Sequence, residues 1–405
     1  MSELLKNRVF KIVLITDLIQ QTSIWIRNIA LLFFVMEYTN NDPIAVSILS
    51  VFEYLPIFLF SFIGGALADR WNPKKTMITG DFLSSISIIV IMLLIWRGYW
   101  QAVFVATLVS AIVTQISLPS SLVMFKKHLP DEQITVAMAI SQSTSSLYVI
   151  VGPIIGTLVY TKLGITASLT TIAVLFFCSA VVQFLLPSYK RDLTCKQTAI
   201  FTQVKEGFKY VKGNVNLVAI AGICFVIGIG QGIIDPLQVY VVIERLGLQK
   251  ESIQWFYSFT GIGLLLGGTI AALLAQKLNE KIIAFMGLCL FSVGVIVEVL
   301  SVWVALTVSM RLIVAIMTAF LQVVINTLLL KLVKEEFVGR VNGIISPLLM
   351  GGILLGSLLS GVLMKTVSLI PSYISAAGFI LIGALISLKL RINTNEKNNT
   401  SSISA

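Results

Sequence analysis

Gly64-Gly65-Ala66-Leu67-Ala68-Asp69-Arg70-Trp71-Asn72-Pro73-Lys74-Lys75 closes one long apolar run with a short charged turn, and a second apolar run opens immediately after it. A turn this short between two membrane helices leaves each residue a definite task. Paired glycines allow helices to approach closely. Asn72 tolerates left-handed backbone angles, and Pro73 suits the first turn of the next helix. Arg70, Lys74 and Lys75 place three cations within six residues, with Asp69 as their nearest counter-charge. Two readings stand: a solvated positive turn, or an ion-paired latch between helices.

The composition supplies the solvent. Of 405 residues, 57% are hydrophobic and only 12% charged, more apolar surface than a water-soluble fold can bury, so the chain lives in lipid. Runs long enough to cross ~30 Å of hydrocarbon number twelve, at approximately 10–35, 44–68, 76–96, 101–124, 136–160, 165–186, 216–242, 253–275, 282–300, 303–329, 342–363 and 370–388. With the N-terminus inside, the inner segments hold 22 of the 29 Lys and Arg residues. The outer loops then hold five (Arg97, Lys162, Arg245, Lys250, Lys365), and the spans hold Arg27 and Arg311. This is the positive-inside pattern with both termini cytoplasmic. It accounts for the net charge of +10 without nucleic acid, and the expected location is the cell membrane. Residues up to about Val35 form a run too long for a signal-peptide core and read as the first span. Cys178, Cys195, Cys224 and Cys289 show no paired spacing, so neither a disulfide framework nor a metal site is implied.

The longest hydrophilic stretch follows span six. It divides the chain into an N-terminal six-helix lobe (1–187), a linker (188–214), a C-terminal six-helix lobe (215–390) and a polar tail (391–405) expected to be disordered. In the linker Phe201, Val204, Phe208 and Val211 recur at helical spacing among Lys205, Lys209 and Lys212. That pattern predicts an amphipathic helix on the inner membrane surface. The lobes read as copies: 65–80 aligns without gaps on 272–287, Asn72 meeting Asn279, Arg70 meeting Lys277, Lys74 meeting Lys281 and Gly80 meeting Gly287. The expected fold is an all-α membrane protein, twelve helices in two six-helix pseudo-repeats, with a transport site between the lobes. The second copy has Gln276 where the first has Asp69. The opening turn is therefore expected to act as a cytoplasmic gate built from Gly65, Asp69, Arg70 and Lys74. Asp69 would latch onto the start of span eleven near Arg340 in the outward-open state.

Seven charges lie within spans: Asp17, Arg27, Glu53, Asp81, Asp235, Glu298 and Arg311. Each costs ~2.5–3.5 kcal/mol on insertion scales, which makes intramembrane charges functional candidates. Asp81 and Glu298 lie near helix ends, where headgroup or turn contacts suffice. Asp17, Gln20, Gln21, Arg27 and Asn28 form a polar stripe along span one. Arg311, Thr318, Gln322 and Asn326 form one along span ten, and Ser110, Thr114, Ser117 and Ser121 one along span four. Such stripes face a partner helix or a water-filled cavity. The candidate substrate and proton residues are Asp17, Gln21, Arg27, Asn28, Glu53, Asp235, Arg311, Gln322 and Asn326. The single histidine, His128, sits in a loop beside Lys126 and Lys127, so proton coupling falls on carboxylates, which hold a proton more readily in low dielectric. Glu53 ranks first, then Asp17, then Asp235 beside Pro236.

Gly65-x-x-x-Asp69-Arg70-x-x-x-Lys74-Lys75 resembles the cytoplasmic loop signature of the major facilitator superfamily. Val151-Gly152-Pro153-Ile154-Ile155-Gly156 resembles the Gly-Pro motif of its drug–proton antiporters, carried by Gly152, Pro153 and Gly156. The same glycine spacing also serves close helix packing. Residues 54–81 (YLPIFLFSFIGGALADRWNPKKTMITGD) and 129–143 (LPDEQITVAMAISQS) are similar to macrolide-efflux proteins and to the group containing enterobactin exporters. The resemblance implies that spans one, four, seven and ten line the cavity. Span four has Ser110 where these relatives often carry an arginine thought to assist proton transfer.

No phosphate-binding glycine loop, metal-ligand cluster or nucleophile–His–acid set can be assembled, so neither an enzyme nor a cofactor is expected. The expected function is secondary active efflux of amphipathic drugs of macrolide or multidrug type, coupled to proton influx, by a monomer. Trp25, Phe33 and Phe225 would supply cation–π surface. The alternative is export of an endogenous anionic product such as a siderophore, met by Arg27 and Arg311. A non-transporting membrane sensor is disfavoured, since the chain shows no additional folded domain to relay a signal.

Overall fold

The computed structural model describes residues 4–68, 71–187, 200–274 and 280–390, and every regular element among them is helical. In chain order these are α1 (Arg8–Tyr38), α2 (Pro43–Ala68), α3 (Pro73–Trp96), α4 (Ala102–His128), α5 (Asp131–Gln183), α6 (Ile200–Lys212), α7 (Val215–Tyr240), α8 (Ile253–Leu274), α9 (Glu280–Leu300), α10 (Val304–Leu332), α11 (Val338–Val367) and α12 (Leu369–Ser387). All but α6 are long and apolar enough to cross a membrane.

Helix α5 supplies two crossings. Its run is broken at Gly164, with φ 72° and ψ −178°. Contacts along its length show that the chain folds back there. In the first arm, Ser145 accepts from Gln21 Nε2, and Tyr160 Oη donates to Glu37 near the end of α1. In the second arm, Thr166 accepts from Trp96 at the end of α3, while Gln183 reaches Asp81 near the start of α3. The two arms therefore run antiparallel, and the twelve expected spans are all present. The second lobe repeats the device. Between α11 and α12 stands the single residue Ser368, at φ 78° and ψ 175°, nearly the same backbone geometry as Gly164. This region is essentially reserved for glycine and costs other residues ~1–3 kcal/mol. Ser368→Gly is therefore expected to stabilise the protein by ~1 kcal/mol after the entropy cost of glycine. Gly164→Ala is expected to destabilise it by ~1–3 kcal/mol, through backbone strain alone because a Cβ there meets nothing within 4 Å. Thermal midpoints of the detergent-solubilised protein check both signs.

Polar caps mark the starts of helices on the face where the chain begins, here the near face. Asn7 Oδ1 accepts from the N–H groups of Val9 and Phe10, and Asn214 Oδ1 from those of Asn216 and Leu217. Asn72 does the same for Lys75, with Pro73 in the first helical turn. Its backbone is extended at φ −73°, so the asparagine serves as an N-cap rather than as the expected left-handed residue. The left-handed asparagines are Asn40 and Asn41, in the tight far-face turn between α1 and α2.

Within the N-lobe α1 packs on α5, α3 on α4 and α5, and α4 on α2; within the C-lobe α7 packs on α11 and α12, α9 on α10 and α12, and α10 on α8. The lobes meet where α2 faces α11 and α5 faces α8. Linker helix α6 lies against the start of α11 rather than resting on lipid alone. Glu206 pairs with Arg340 at 3.1 Å, Tyr210 stacks on Phe337 with centroids 4.4 Å apart, and Val211 is buried. Phe208, Lys205, Lys209 and Lys212 are exposed. The tail 391–405 and the first part of the linker lie outside the described residues.

Candidate functional site

The lobes are joined through the far half of the bundle. Lys250 pairs with Glu37 and Lys365 with Asp42, while the hydroxyls of Ser47 and Ser360 meet at 2.7 Å. Tyr240 Oη donates to the Asn41 carbonyl. Deepest among these polar contacts, Tyr54 Oη on α2 donates to Asp235 Oδ2 on α7 at 3.1 Å, and Gln238 Nε2 donates to Oδ1 of the same carboxylate at 3.2 Å. Next to Tyr54, Glu53 accepts from Asn28 Nδ2 at 3.4 Å and lies 3.8 Å from Arg27. The Arg27 guanidinium donates through Nε and Nη2 to Asn28 Oδ1. Three of the expected site residues (Arg27, Asn28, Glu53) thus form one cluster in the N-lobe. Asp235 meets that cluster's helix from the other lobe.

The near half of each lobe is hollow. A cavity of about 450 Å³ in the N-lobe is lined by Asp17, Gln20, Gln21 and Asp81, by Thr114, Ser117 and Ser121 of α4, and by Gln142 and Ser145 of α5. A smaller one in the C-lobe, about 150 Å³, is lined by Gln231, Thr318, Gln322 and Asn326 with Asn342 and Ser346. Asn326 and Asn342 also floor an adjoining space of about 270 Å³ between α10 and α11. The two hollows differ in charge: the N-lobe wall carries two carboxylates, whereas the C-lobe wall is carboxamide and hydroxyl.

The expected polar stripes are therefore split by position. On α1, Asp17, Gln20 and Gln21 face the cavity, while Arg27 is 3% exposed and turned into the lobe. On α10, Gln322 and Asn326 face the cavity. Arg311 is instead buried and ion-paired with Glu298 of α9, because a charge inside a lobe needs a local counter-charge. Glu298 and Asp81 are both fully buried, so headgroup or turn contact does not account for them. Ser110 is likewise buried, away from the lining. Of the expected aromatics, Phe33 is buried beneath Lys250 Nζ, 5.4 Å from its ring. The cavity rings are instead Phe125, Phe176 and Phe291.

The motif residues act through packing. A Cβ on Gly152 would collide with the Trp25 indole, and one on Gly156 with the Trp25 carbonyl. Their absence lets Trp25 lie flat on α5 and reach Tyr257 of the other lobe, ring centroids 6.2 Å apart. Pro153, next to Gly152, is buried inside α5. In the near-face turn, Lys74 Nζ donates to the carbonyls of Phe184 and Leu186, capping the second arm of α5 within its own lobe. Arg340 is held by Glu206. Gly65 falls in the last turn of α2, and Asp69 and Arg70 lie outside the described residues.

Sequence reading missed Tyr54, Gln238, Gln183 and the Glu37–Lys250 pair. The last was visible only as opposite charges in two far-face segments, Glu37 and Lys250, whose proximity needs the fold.

The sequence matches the Major Facilitator Superfamily over residues 13–234 and again over 220–404. An uncharacterized MFS-type transporter of Bacillus subtilis, YkuC, is 24% identical over 369 residues, 86% of this chain and 84% of its own length. Macrolide efflux protein A of Streptococcus pyogenes is 23% identical over 199 residues, 48% of this chain and 49% of its own. Among solved structures, nucleoside transporter NupG superposes with a TM-score of 0.79 at 13% identity, covering 95% of this chain and all of that one (100%). A bacterial homolog of the human lysosomal transporter Spinster, in an inward-facing and unoccupied conformation, gives 0.74 at 14%, covering 96% and 99%. With both halves matched and two six-helix lobes around paired hollows, the chain belongs to the major facilitator superfamily and is a multi-pass membrane transporter of that family.

Proposed function

We propose that this transporter exports amphipathic drug-like compounds, cationic or neutral, across the cell membrane by alternating access, with proton entry as the energy source. The distribution of lysine and arginine supports a cytoplasmic near face, and on that reading the conformation described is inward-facing. The observation that carries the reading is Asp235, a carboxylate at the level where the joined half meets the hollow half, bonded across the lobe boundary by Tyr54. An acid in that position links its proton occupancy to whether the lobes stay together. Asp235 therefore takes precedence over Glu53, whose partners lie within its own lobe. The carboxylate-bearing N-lobe wall supports substrates with a positive end. The engagement of Arg27 by Glu53 and of Arg311 by Glu298 weighs against an anionic siderophore-like product. The half-length similarity to a macrolide efflux protein supports drugs as the substrate class.

Proteoliposomes with an imposed pH gradient and a panel of macrolides and lipophilic cations test this. Uptake into vesicles with an acidic lumen, abolished by a protonophore, is the expected result. Transport indifferent to the gradient would remove proton coupling. A deletion strain with unchanged drug susceptibility but lost siderophore secretion would replace the substrate class.

A further inference from the structure

Asp81 is 1% exposed, yet it reaches the wall of the N-lobe cavity. Three donor contacts converge on it: Gln20 Nε2 of α1 to Oδ1 at 2.9 Å and to Oδ2 at 2.8 Å, and Gln183 Nε2 of α5 to Oδ2 at 2.8 Å. Ser179, 3.4 Å from Gln183 Nε2, hydrogen-bonds the same carboxylate through its hydroxyl. None of these partners is a cation. A single carboxylate thus ties α1, α3 and the second arm of α5 together through two carboxamides. Its ionised form suits this, since three N–H contacts need an acceptor with two free oxygens. Gln183 Oε1 is buried without a donor, so a half-turn of that amide would offer an acceptor to a protonated Asp81.

We propose that Asp81 is a proton-operated tie within the N-lobe, controlling the position of the near half of α1. Ionised, it holds Gln20 through a charge-assisted, two-oxygen contact. When a proton arrives from cavity water, one carboxyl oxygen becomes an O–H donor to Gln183, whose amide has turned. Gln20 then keeps a single neutral hydrogen bond. Charge-assisted bonds are roughly twice as strong as neutral ones, so protonation loosens α1 at Gln20. Asp17, Gln20 and Gln21 are the cavity-facing residues of α1, so the cavity wall moves with it. The other charged groups around this tie are few. Among the described residues lining the cavity, Asp17 of α1 is the only other titratable one. The cavity-lining residues of α4, Thr114, Ser117 and Ser121, carry no charge, and the second arm of α5 contributes Phe176 besides Ser179 and Gln183. On α3 itself, Lys74 is committed to the Phe184 and Leu186 carbonyls, and Lys75 is exposed.

The test needs no transport substrate, so its failure is separable from failure of the export reading. The full-length protein in nanodiscs is titrated with acid while two signals are followed. One is the infrared carbonyl band of protonated carboxyl groups. The other is the distance between nitroxides at Ile15 and Val181, both exposed, in a background without native cysteines. In the unmutated protein the distance is expected to change as the carboxyl band titrates. Asp81→Asn should lose the Asp81 component of that band and hold the low-pH distance at every pH. Gln20→Leu should keep the band but lose the pH-dependent distance change, and Asp17→Asn should retain both. A pH-dependent distance change surviving in Asp81→Asn would overturn the proposal. If that variant does not fold, the same change surviving in Gln20→Leu would overturn it.

Discussion

Asp235→Asn is expected to abolish uphill efflux under a pH gradient while leaving downhill exchange of substrate measurable. Asparagine keeps the size of the side chain and one acceptor oxygen, so the fold tolerates it, but it carries no proton at any pH. Its second effect is on conformation. In the unmutated protein Tyr54 and Gln238 each donate to one carboxylate oxygen. Replacing a charge-assisted bond by a neutral one removes ~1–2 kcal/mol, or roughly a 5–30-fold change in the balance between far-closed and far-open states. The sign is toward opening, because the lost bond exists only when the lobes meet. Spin-label distances across the far face check the second effect and proteoliposome assays the first. Glu53→Gln is the discriminating comparison. If it abolishes coupling while Asp235→Asn does not, the proton rides on Glu53.

Gly356→Leu is expected to prevent the C-lobe from folding. Gly352 and Gly356 of α11 interlock with Gly228 and Gly232 of α7, so that backbone lies on backbone. A Cβ at Gly356 would meet the Ile229 carbonyl and sit 2.9 Å from the Gly232 Cα. Main-chain atoms cannot turn aside as a side chain does, so the helices must separate along their length. Overpacking typically costs ~1–3 kcal/mol, sometimes more, and here relief by rotamer change is closed off. Fluorescence-detected gel filtration should show aggregated protein. Gly268→Leu should remain monodisperse, since a Cβ there meets nothing within 4 Å. Gly152 lies between these extremes. Its obstacle is the Trp25 ring, which can rotate at the expense of its contact with Tyr257.

The twelve crossings and the lobe repeat were readable because lipid imposes length and hydropathy on each span. The stripes on α1, α4 and α10 also followed from helical period. Period alone does not tell where along a helix the neighbour changes. Asp17 and Arg27 share a stripe, yet one faces a cavity and the other a glutamate within the lobe. Arg311 was misplaced for a related reason: its partner Glu298 is 13 residues away on another helix. Asp81 had been set aside for its nearness to a helix end, whereas burial by Gln20 and Gln183 is a tertiary fact. The opening turn gave up one half of its riddle. Lys74 is spent on capping α5, and Asp69, the expected latch, falls outside the described residues.

The far-face turns at Gly164 and Ser368 bear on how the protein is made. Each connects two crossings through a single non-helical residue, so no extramembrane loop is available to be translocated on its own. Spans five and six must enter the bilayer as a preformed hairpin, as must eleven and twelve. During synthesis the last pair of each lobe is thus delivered as one unit. A tag or glycosylation acceptor placed at either turn would have to break the hairpin to be displayed, whereas the far-face segment around Asn40 and Asn41 offers a turn of several residues for such an insertion.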